Sequence, residues 1–405
     1  MADKKKKKDP VMDADTKGDR ADQLGAIVLG AQKKYGHRVL VGASEEEVLV
    51  VPRITTGLYR MDLVTNGGIP QGRITMWYGE RSTGKTSKVL RVLGNAQRVC
   101  ANCYRPAELK EGVITLPDLK TGKKKKIETM VVADCECGDP KNYLCLWVDA
   151  EKVWLSNWSK KMGVQPGGVI VMRPEYGEQA YDMALAMVNR GIIDAVAIDS
   201  LAALAPKEEM EASMEQAHQG VSARMNNKFL RKLVMGMNYC VNTYGRAPSL
   251  WVINQYREKI GVMFGDPRVL TGGKGQGFAP TLEVECSSGK IDKDEKTKEV
   301  YSAEFNYYIK KNKVGVPFGR GSYSMCLSNT SLFEVGDLME HKMVIEDAVA
   351  SGFIEKPSNV MYVFNGEKYR GMSSMVRYFG ENPDEYEALK KEMLRFKLGI
   401  VDDDD

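Results

Sequence analysis

The stretch Tyr78-Gly79-Glu80-Arg81-Ser82-Thr83-Gly84-Lys85-Thr86-Ser87 constrains this chain more than any other. The apolar run Arg73-Ile74-Thr75-Met76-Trp77 precedes it and Lys88-Val89-Leu90-Arg91-Val92-Leu93 follows, so the local order is strand, glycine loop, helix. Gly79 to Thr86 fits the phosphate-loop pattern G-x-x-x-x-G-K-[ST]. The pattern has a physical basis: loop N–H groups and the N-terminus of the helix converge on an anion, which the helix dipole also favours. Lys85 supplies a point charge to the outer phosphates, and the Thr86 hydroxyl a magnesium ligand. The bland alternative is a glycine turn with an incidental lysine; the flanking strand and helix favour ATP or GTP binding, with Gly79, Glu80, Arg81, Ser82, Thr83, Gly84, Lys85, Thr86 and Ser87 as contacts.

A chain of 405 residues holds more than one folding unit, at the usual ~100–200 residues per domain. No uninterrupted apolar run approaches the roughly 20 residues of a membrane span, and Met-Ala-Asp-Lys-Lys lacks the apolar stretch of a secretory signal. A soluble, cytoplasmic protein with no membrane partner is expected. The net charge of +4 does not by itself argue for nucleic acid, so local patches must. The basic run Lys4–Lys8 and the acidic run Asp402–Asp405 read as solvated tails, residues 1–20 and 399–405. The acidic one would compete with nucleic acid for basic surface.

Between the tails, Ala21 to Tyr35 carries Leu24, Ile27, Val28 and Ala31 at helical spacing, and Arg38–Val41 and Val48–Val51 read as short strands. This is too little to bury a core, so residues 21–53 must pack on the rest or on another subunit. From Ile54 onward, short apolar runs alternate with helical segments: Leu144–Asp149, Gly168–Met172, Ala195–Asp199 and Ser249–Asn254. That alternation is what a parallel sheet buried on both faces requires, so the class is α/β, with the phosphate loop at the carboxyl end of a strand. Beyond Leu332 the pattern changes to a helix at Met339–Ser351, a hairpin through Asn365-Gly366 and a helix at Asp384–Lys397. Residues 332–398 therefore read as a small α+β domain.

Asp199 ends an apolar strand, where a carboxylate can hold the magnesium shell, although a helix N-cap is the simpler alternative. Glu151 and Asp149 lie at another strand end, and spacing alone leaves both open as the group that orients an attacking water. Asn254 to Gly277 mixes basic, apolar and glycine residues without helical period. Such a loop beside a nucleotide sheet either meets single-stranded nucleic acid or is a solvated connection. Cys100, Cys103, Cys135 and Cys137 form two close pairs around Lys120 and Lys123–Lys126. Four thiols so arranged favour a structural zinc site over disulfides, within an inserted segment 99–143. Its basic tip would contact DNA phosphates or a partner, or simply be solvated. Cys145, Cys240, Cys286 and Cys326 sit among apolar residues and read as inert buried thiols.

Several ordered stretches together resemble the bacterial RecA recombinase family: Ile54–Gly57, Gly67–Ile74, the phosphate loop, Val148–Glu151, Ile198–Lys207, Ile253–Gly265 and Lys311–Phe318. The resemblance runs from Leu24 to Leu398 and is broken only by the cysteine segment, which suggests a divergent, phage-encoded member in a host cytoplasm. It implies a RecA-like P-loop ATPase core at 54–331 with a mainly parallel sheet, an N-terminal helix-strand oligomerisation segment at 21–53, and the small C-terminal domain. It also implies a filament of many copies on single-stranded DNA, using ATP and Mg²⁺ to pair that strand with homologous duplex and exchange strands.

Carried over by position, Glu151 matches the catalytic glutamate and Gln255 the glutamine that senses the γ-phosphate. Lys311 and Lys313 match lysines that reach the neighbouring subunit's ATP, and Trp158 stands where a tyrosine faces adenine. Met210–Gly220 and Tyr256–Lys274 match two DNA loops, with Arg224, Arg231, Arg257, Lys259, Ile260, Gly272 and Gly273 as contacts. Gln219 and Lys274 depart from the family pattern, where an apolar wedge and an amide are usual. A different class of function is a nucleotide-gated assembly protein that coats DNA or binds partners without strand exchange. A third is a motor ATPase indifferent to DNA.

Overall fold

Strands buried on both faces must lie inside a sheet covered by helices, and Ile74–Gly79, Cys145–Asp149 and Ala195–Asp199 are buried at every residue. The computed structural model describes residues 9–11, 18–36, 39–40, 50–213, 220–258, 268–272 and 274–400. The first elements are α1 (Arg20–Tyr35), β1 (Arg53–Ile54), α2 (Tyr59–Val64), β2 (Ile69–Pro70), β3 (Ile74–Gly79) and α3 (Lys85–Ala96). The insertion contributes β4 (Glu108–Pro117) and β5 (Lys124–Asp134). Then come β6 (Cys145–Asp149), α4 (Ser156–Lys161), β7 (Val169–Met172), α5 (Gly177–Val188), β8 (Ala195–Asp199), α6 (Lys207–Glu211) and α7 (Val221–Tyr244). The core closes with β9 (Ser249–Glu258), β10 (Arg268–Leu270), β11 (Leu282–Lys293), β12 (Val300–Asn312) and β13 (Arg320–Cys326).

The central sheet has the order β13-β12-β11-β3-β9-β8-β6-β7, with β10 paired to β9. Pairing is parallel from β11 across to β7 and antiparallel at the β12 and β13 edge and at β10. This is the expected α/β class with a mainly parallel sheet. Because side chains alternate along a strand, Trp77, Trp147 and Trp251 share one face with Val89 and Leu93 of α3. Met76, Tyr78, Val148, Leu250 and Val252 face the other way, onto Tyr181 of α5 and Phe229, Leu230 and Leu233 of α7.

The remaining elements are α8 (His341–Ala350), β14 (Glu355–Ser358), β15 (Met361–Phe364), β16 (Glu367–Arg370), α9 (Met372–Glu381) and α10 (Pro383–Leu398). Asn365 and Gly366 turn the β15–β16 hairpin with φ of 51° and 82°, the left-handed pair such a two-residue turn needs. This unit does not close its core alone: Tyr59 of α2 belongs to the cluster of Val344, Ile345, Phe379, Tyr386 and Met393. A buried ion pair adds to the seam, with Lys390 Nζ 2.8 Å from Glu340, whose other oxygen accepts from the Tyr59 N–H at 3.3 Å.

Leu24, Ile27 and Leu29 of α1 are exposed. Half of the two strands read before Val51 (Arg38, Val41, Val48 and Leu49) falls outside the described residues, and Val39, Leu40, Val50 and Val51 lie in no strand. The Lys4–Lys8 run, residues 214–219 with Gln219, Lys259, Ile260, Gly273 and the tail 401–405 also lie outside them. No described helix is long and apolar enough to cross a membrane.

Candidate nucleotide site and its surroundings

The phosphate loop leaves β3 at Gly79 (φ +149°), where a Cβ would lie 2.0 Å from the Cys286 carbonyl oxygen, and enters α3 through Gly84 (φ +69°). Both glycines are therefore required by close approach and backbone shape. Lys85 folds back onto its own loop, donating to Gly79 O at 3.1 Å and to Thr83 Oγ1 at 3.2 Å, and also to Glu80 O. These are acceptors an anion's oxygens would replace. Around the loop lies a cavity of about 710 Å³ lined by Arg81 to Ser87, Glu151, Asp199, Gln255, Tyr256 and Arg257.

Thr86 Oγ1 donates to Asp199 Oδ2 at 2.9 Å. Burial pushes the Asp199 carboxyl up to about 7, with neighbouring Glu151 and Asp149 adding to the rise against the Thr86 hydrogen bond and Lys85. A pocket with that excess of carboxylate beside a hydroxyl fits a divalent cation held by Thr86 and Asp199. Asp199 thus stands beside the loop, at the end of β8.

Glu151 and Asp149 part company here. Asp149 is wholly buried and committed: it accepts from the Val153 N–H at 2.8 Å and pairs with Arg173 Nε at 3.2 Å. Glu151 is exposed in the cavity, positioned by its N–H on Asp199 O at 3.3 Å, and accepts from Gln255 Nε2 at 2.8 Å and from Ser200 Oγ. Gln255 pairs with Gly79 across β9 and β3, so the amide stands at the mouth of the loop.

Trp158 lies outside the cavity wall; its Nε1 donates to Ser87 Oγ at 3.1 Å, at the far end of the loop. Lys311 and Lys313 are also elsewhere, donating to Gly277 O at 2.6 Å and Phe278 O at 3.0 Å. Registers pair Leu282 with Asn312 and Thr75, and Cys286 with Gly79. Asn312, between the two lysines, is thus four residues down the sheet from the phosphate loop, about 13 Å at ~3.3 Å per residue. Beside them Phe278, Val316 and Phe318 are exposed.

Of the predicted nucleic-acid contacts, Arg257 lines the cavity and reaches Ala202 O at 3.5 Å. Arg224 and Arg231 are exposed on α7. Spacings of four, seven and eight residues bring Lys228, Arg231 and Lys232 to the face of Arg224, and all are exposed; Lys228 and Lys232 escaped the sequence reading although helical periodicity alone marks them. A buried polar chain was also missed: Asn254 Nδ2 donates to Thr271 O and Gln276 Oε1, both at 2.9 Å, and Tyr181 donates to Asn226. Gly272 (φ +99°) closes over it, since a Cβ there would meet Gln276 at 2.3 Å and Asn226 at 2.6 Å. No sequence signal distinguishes such amides from solvated ones.

The four cysteines converge as expected: their Sγ atoms all lie within 4.8 Å of one another, with Cys100–Cys137 at 3.7 Å and Cys103–Cys135 at 3.3 Å. Tetrahedral zinc with sulfur at ~2.3 Å separates its thiolates by ~3.8 Å, so the donors fit. The stretch between the pairs, for which no secondary structure was expected, is the β4–β5 hairpin, paired from Glu108↔Asp134 to Pro117↔Lys124. Lys120 and Lys123–Lys126 surround its tip, exposed and without carboxylate partners among the described residues. The other four cysteines are buried free thiols.

A model of the RecA N-terminal domain matches residues 23–105 and 113–330. The chain belongs to the RecA family. Similar curated proteins, each named Protein RecA, include that of Haemophilus ducreyi, 28% identical over 396 residues (97% of this chain, 90% of the relative). Those of Pseudomonas fluorescens, 29% over 391 residues (96% and 93%), and Acidothermus cellulolyticus, 28% over 384 residues (94% of each), are comparable. The gap in the RecA model's match, residues 106–112, falls at the start of the inserted hairpin.

Proposed function

We infer that this RecA-family protein is a single-stranded-DNA-dependent ATPase that assembles on DNA and exchanges homologous strands. The observation that carries the reading is the Gln255–Glu151 hydrogen bond at 2.8 Å. It joins an exposed carboxylate facing the phosphate loop to β9, the strand that leads into the glycine-rich segment. Glu151 orients the attacking water, and Gln255 trades its carboxylate contact for the γ-phosphate, so occupancy of the site is passed along β9 to the DNA loop. Magnesium, when bound through Thr86 and Asp199, neutralises phosphate charge.

Lys311 and Lys313, remote from their own loop, serve the site of the next subunit, with Phe278, Val316 and Phe318 as the apolar part of that contact. The exposed apolar face of α1 docks on a neighbour in the same assembly. Arg224, Arg231, Arg257 and the residues beyond β9 meet DNA, and Trp158 offers its ring to adenine once freed from Ser87. A zinc ion on the four thiolates has no open position and is structural.

The test is ATP hydrolysis with and without single-stranded DNA, beside strand exchange with homologous and scrambled duplexes. Hydrolysis indifferent to DNA, or equal yields from both duplexes, would sink the reading.

A further inference from the structure

A buried cation lies behind the phosphate loop. Lys88, one turn into α3, is only 3% exposed, yet among the described residues no carboxylate comes within ion-pairing distance. Its ammonium donates to Thr83 O at 2.9 Å and lies 5.5 Å from the centre of the Phe305 ring and 5.0 Å from that of Tyr323. Those two rings stack at 5.4 Å and underpin the loop from below, since a Cβ on Gly84 would meet the Tyr323 hydroxyl at 3.0 Å and Phe305 at 3.1 Å. The Cys286 thiol completes the enclosure.

A buried charge held by a carbonyl, a thiol and aromatic faces, with no carboxylate beside it, costs stability, so its presence asks for a return elsewhere. The geometry supplies one. Thr83 O and the Gly84 N–H belong to the same peptide unit. That N–H lies at the entry to α3, where the phosphate loop gathers its donors. A charged donor on the oxygen of a peptide polarises it and strengthens its N–H as a donor. We propose that Lys88 is a positioning residue for the phosphate loop, which from behind fixes the Thr83–Gly84 peptide and polarises its N–H toward the bound phosphate. Lys85 works from the front on the same residue through Thr83 Oγ1, so the two lysines clamp Thr83 from both sides.

The proposal rests on the reading of Gly79–Ser87 as a nucleotide site, and its test separates the two. In the full-length protein, Lys88→Met removes the charge and keeps the volume, while Lys88→Gln keeps an N–H donor and removes the charge. Calorimetric binding of ATP, ADP and AMP is measured beside the melting temperature of the nucleotide-free protein.

A merely structural lysine would lower the melting temperature and weaken all ligands together. The expected result is the opposite pairing: Lys88→Met melts no lower than wild type without nucleotide, while its ATP and ADP affinities fall about tenfold and that for AMP is unchanged. Lys88→Gln falls between, and carries the test if the methionine variant does not fold. Affinities for ATP and ADP within twofold of wild type, or equal losses for AMP, would overturn the proposal. Failure of wild type itself to bind ATP would instead remove the nucleotide reading.

Discussion

Acidification should loosen the C-terminal unit through His341. The imidazole is 9% exposed, stacks on Tyr386 at 4.0 Å and 7°, and has no partner for Nδ1 among the described residues. Burial, with help from Lys390 and against Glu387 and Asp337, lowers its pKa from 6.5 to about 4. Between those values the unfolded chain binds a proton that the folded one refuses, so stability present above pH 6.5 is lost as pH falls toward 4. Between pH 7.5 and pH 5 the loss amounts to about 2 kcal/mol, a large share of the ~5–15 kcal/mol typical of a domain.

Asp62 and Asp194, raised to about 6 by burial, act in the opposite sense over part of the same window. The bare pH dependence of the wild type therefore does not isolate His341. The variant His341→Phe does, because it keeps the stack and removes the titration. Urea unfolding followed by circular dichroism at pH 7.5 and pH 5 should show wild type losing about 2 kcal/mol more than the variant on acidification. Parallel losses in the two proteins would refute the reasoning and place the imidazole in contact with water or a hydrogen-bond acceptor.

Three shorter expectations follow from the site. Glu151→Gln should bind ATP normally and hydrolyse it about 10²-fold or more slowly in a single-turnover assay; rapid turnover would move the role elsewhere. Metal analysis should find one zinc per chain, lost on combining Cys100→Ser with Cys135→Ser, while equal zinc in the double variant would rule out a site of these thiolates. Replacing Lys123–Lys126 with serines should reduce the salt slope of duplex binding by up to ~3.6, at ~0.9 per phosphate contact. An unchanged slope would take the hairpin tip off DNA.

The nucleotide end of the molecule was legible because its chemistry is local in sequence. Gly79, Gly84, Lys85 and Thr86 lie within one turn of chain, and Asp199 closes a run of four apolar residues, so spacing alone placed them. The choice between Asp149 and Glu151 was not legible, since it depends on Arg173 and the Val153 N–H, which come from a different strand end and a following turn. Nothing local marks Lys88 as buried; Phe305 and Tyr323 arrive from β12 and β13 to enclose it. The hairpin within the insertion went unread for a simpler reason. Leu109–Leu116 and Ile127–Ala133 are rich in β-branched residues and joined by a Thr-Gly turn, a hairpin signal overlooked beside the cysteines.

The inserted segment enters and leaves the core at a single point, where the Ala101 N–H donates to Lys141 O at 2.9 Å. Its root is woven into the protein, because Val99, Ala101, Tyr104 and Tyr143 belong to the main apolar cluster and the Tyr104 hydroxyl accepts from the Ala247 N–H at 2.9 Å. A second tie lies half-way out, where Thr129, paired with Gly112, packs on the turn before β7, since a Cβ on Gly167 would meet it at 2.8 Å. A graft boundary therefore runs across the hairpin beyond the Gly112–Thr129 pair. Shortening the blade or swapping its tip for a peptide tag leaves the interior intact, whereas excising the whole of 99–143 opens a hole beneath three strands. The hairpin tip is thus an attachment port beyond the amino ends of the parallel strands, at the end of the sheet opposite the phosphate loop, suited to a reporter that reads assembly without touching chemistry.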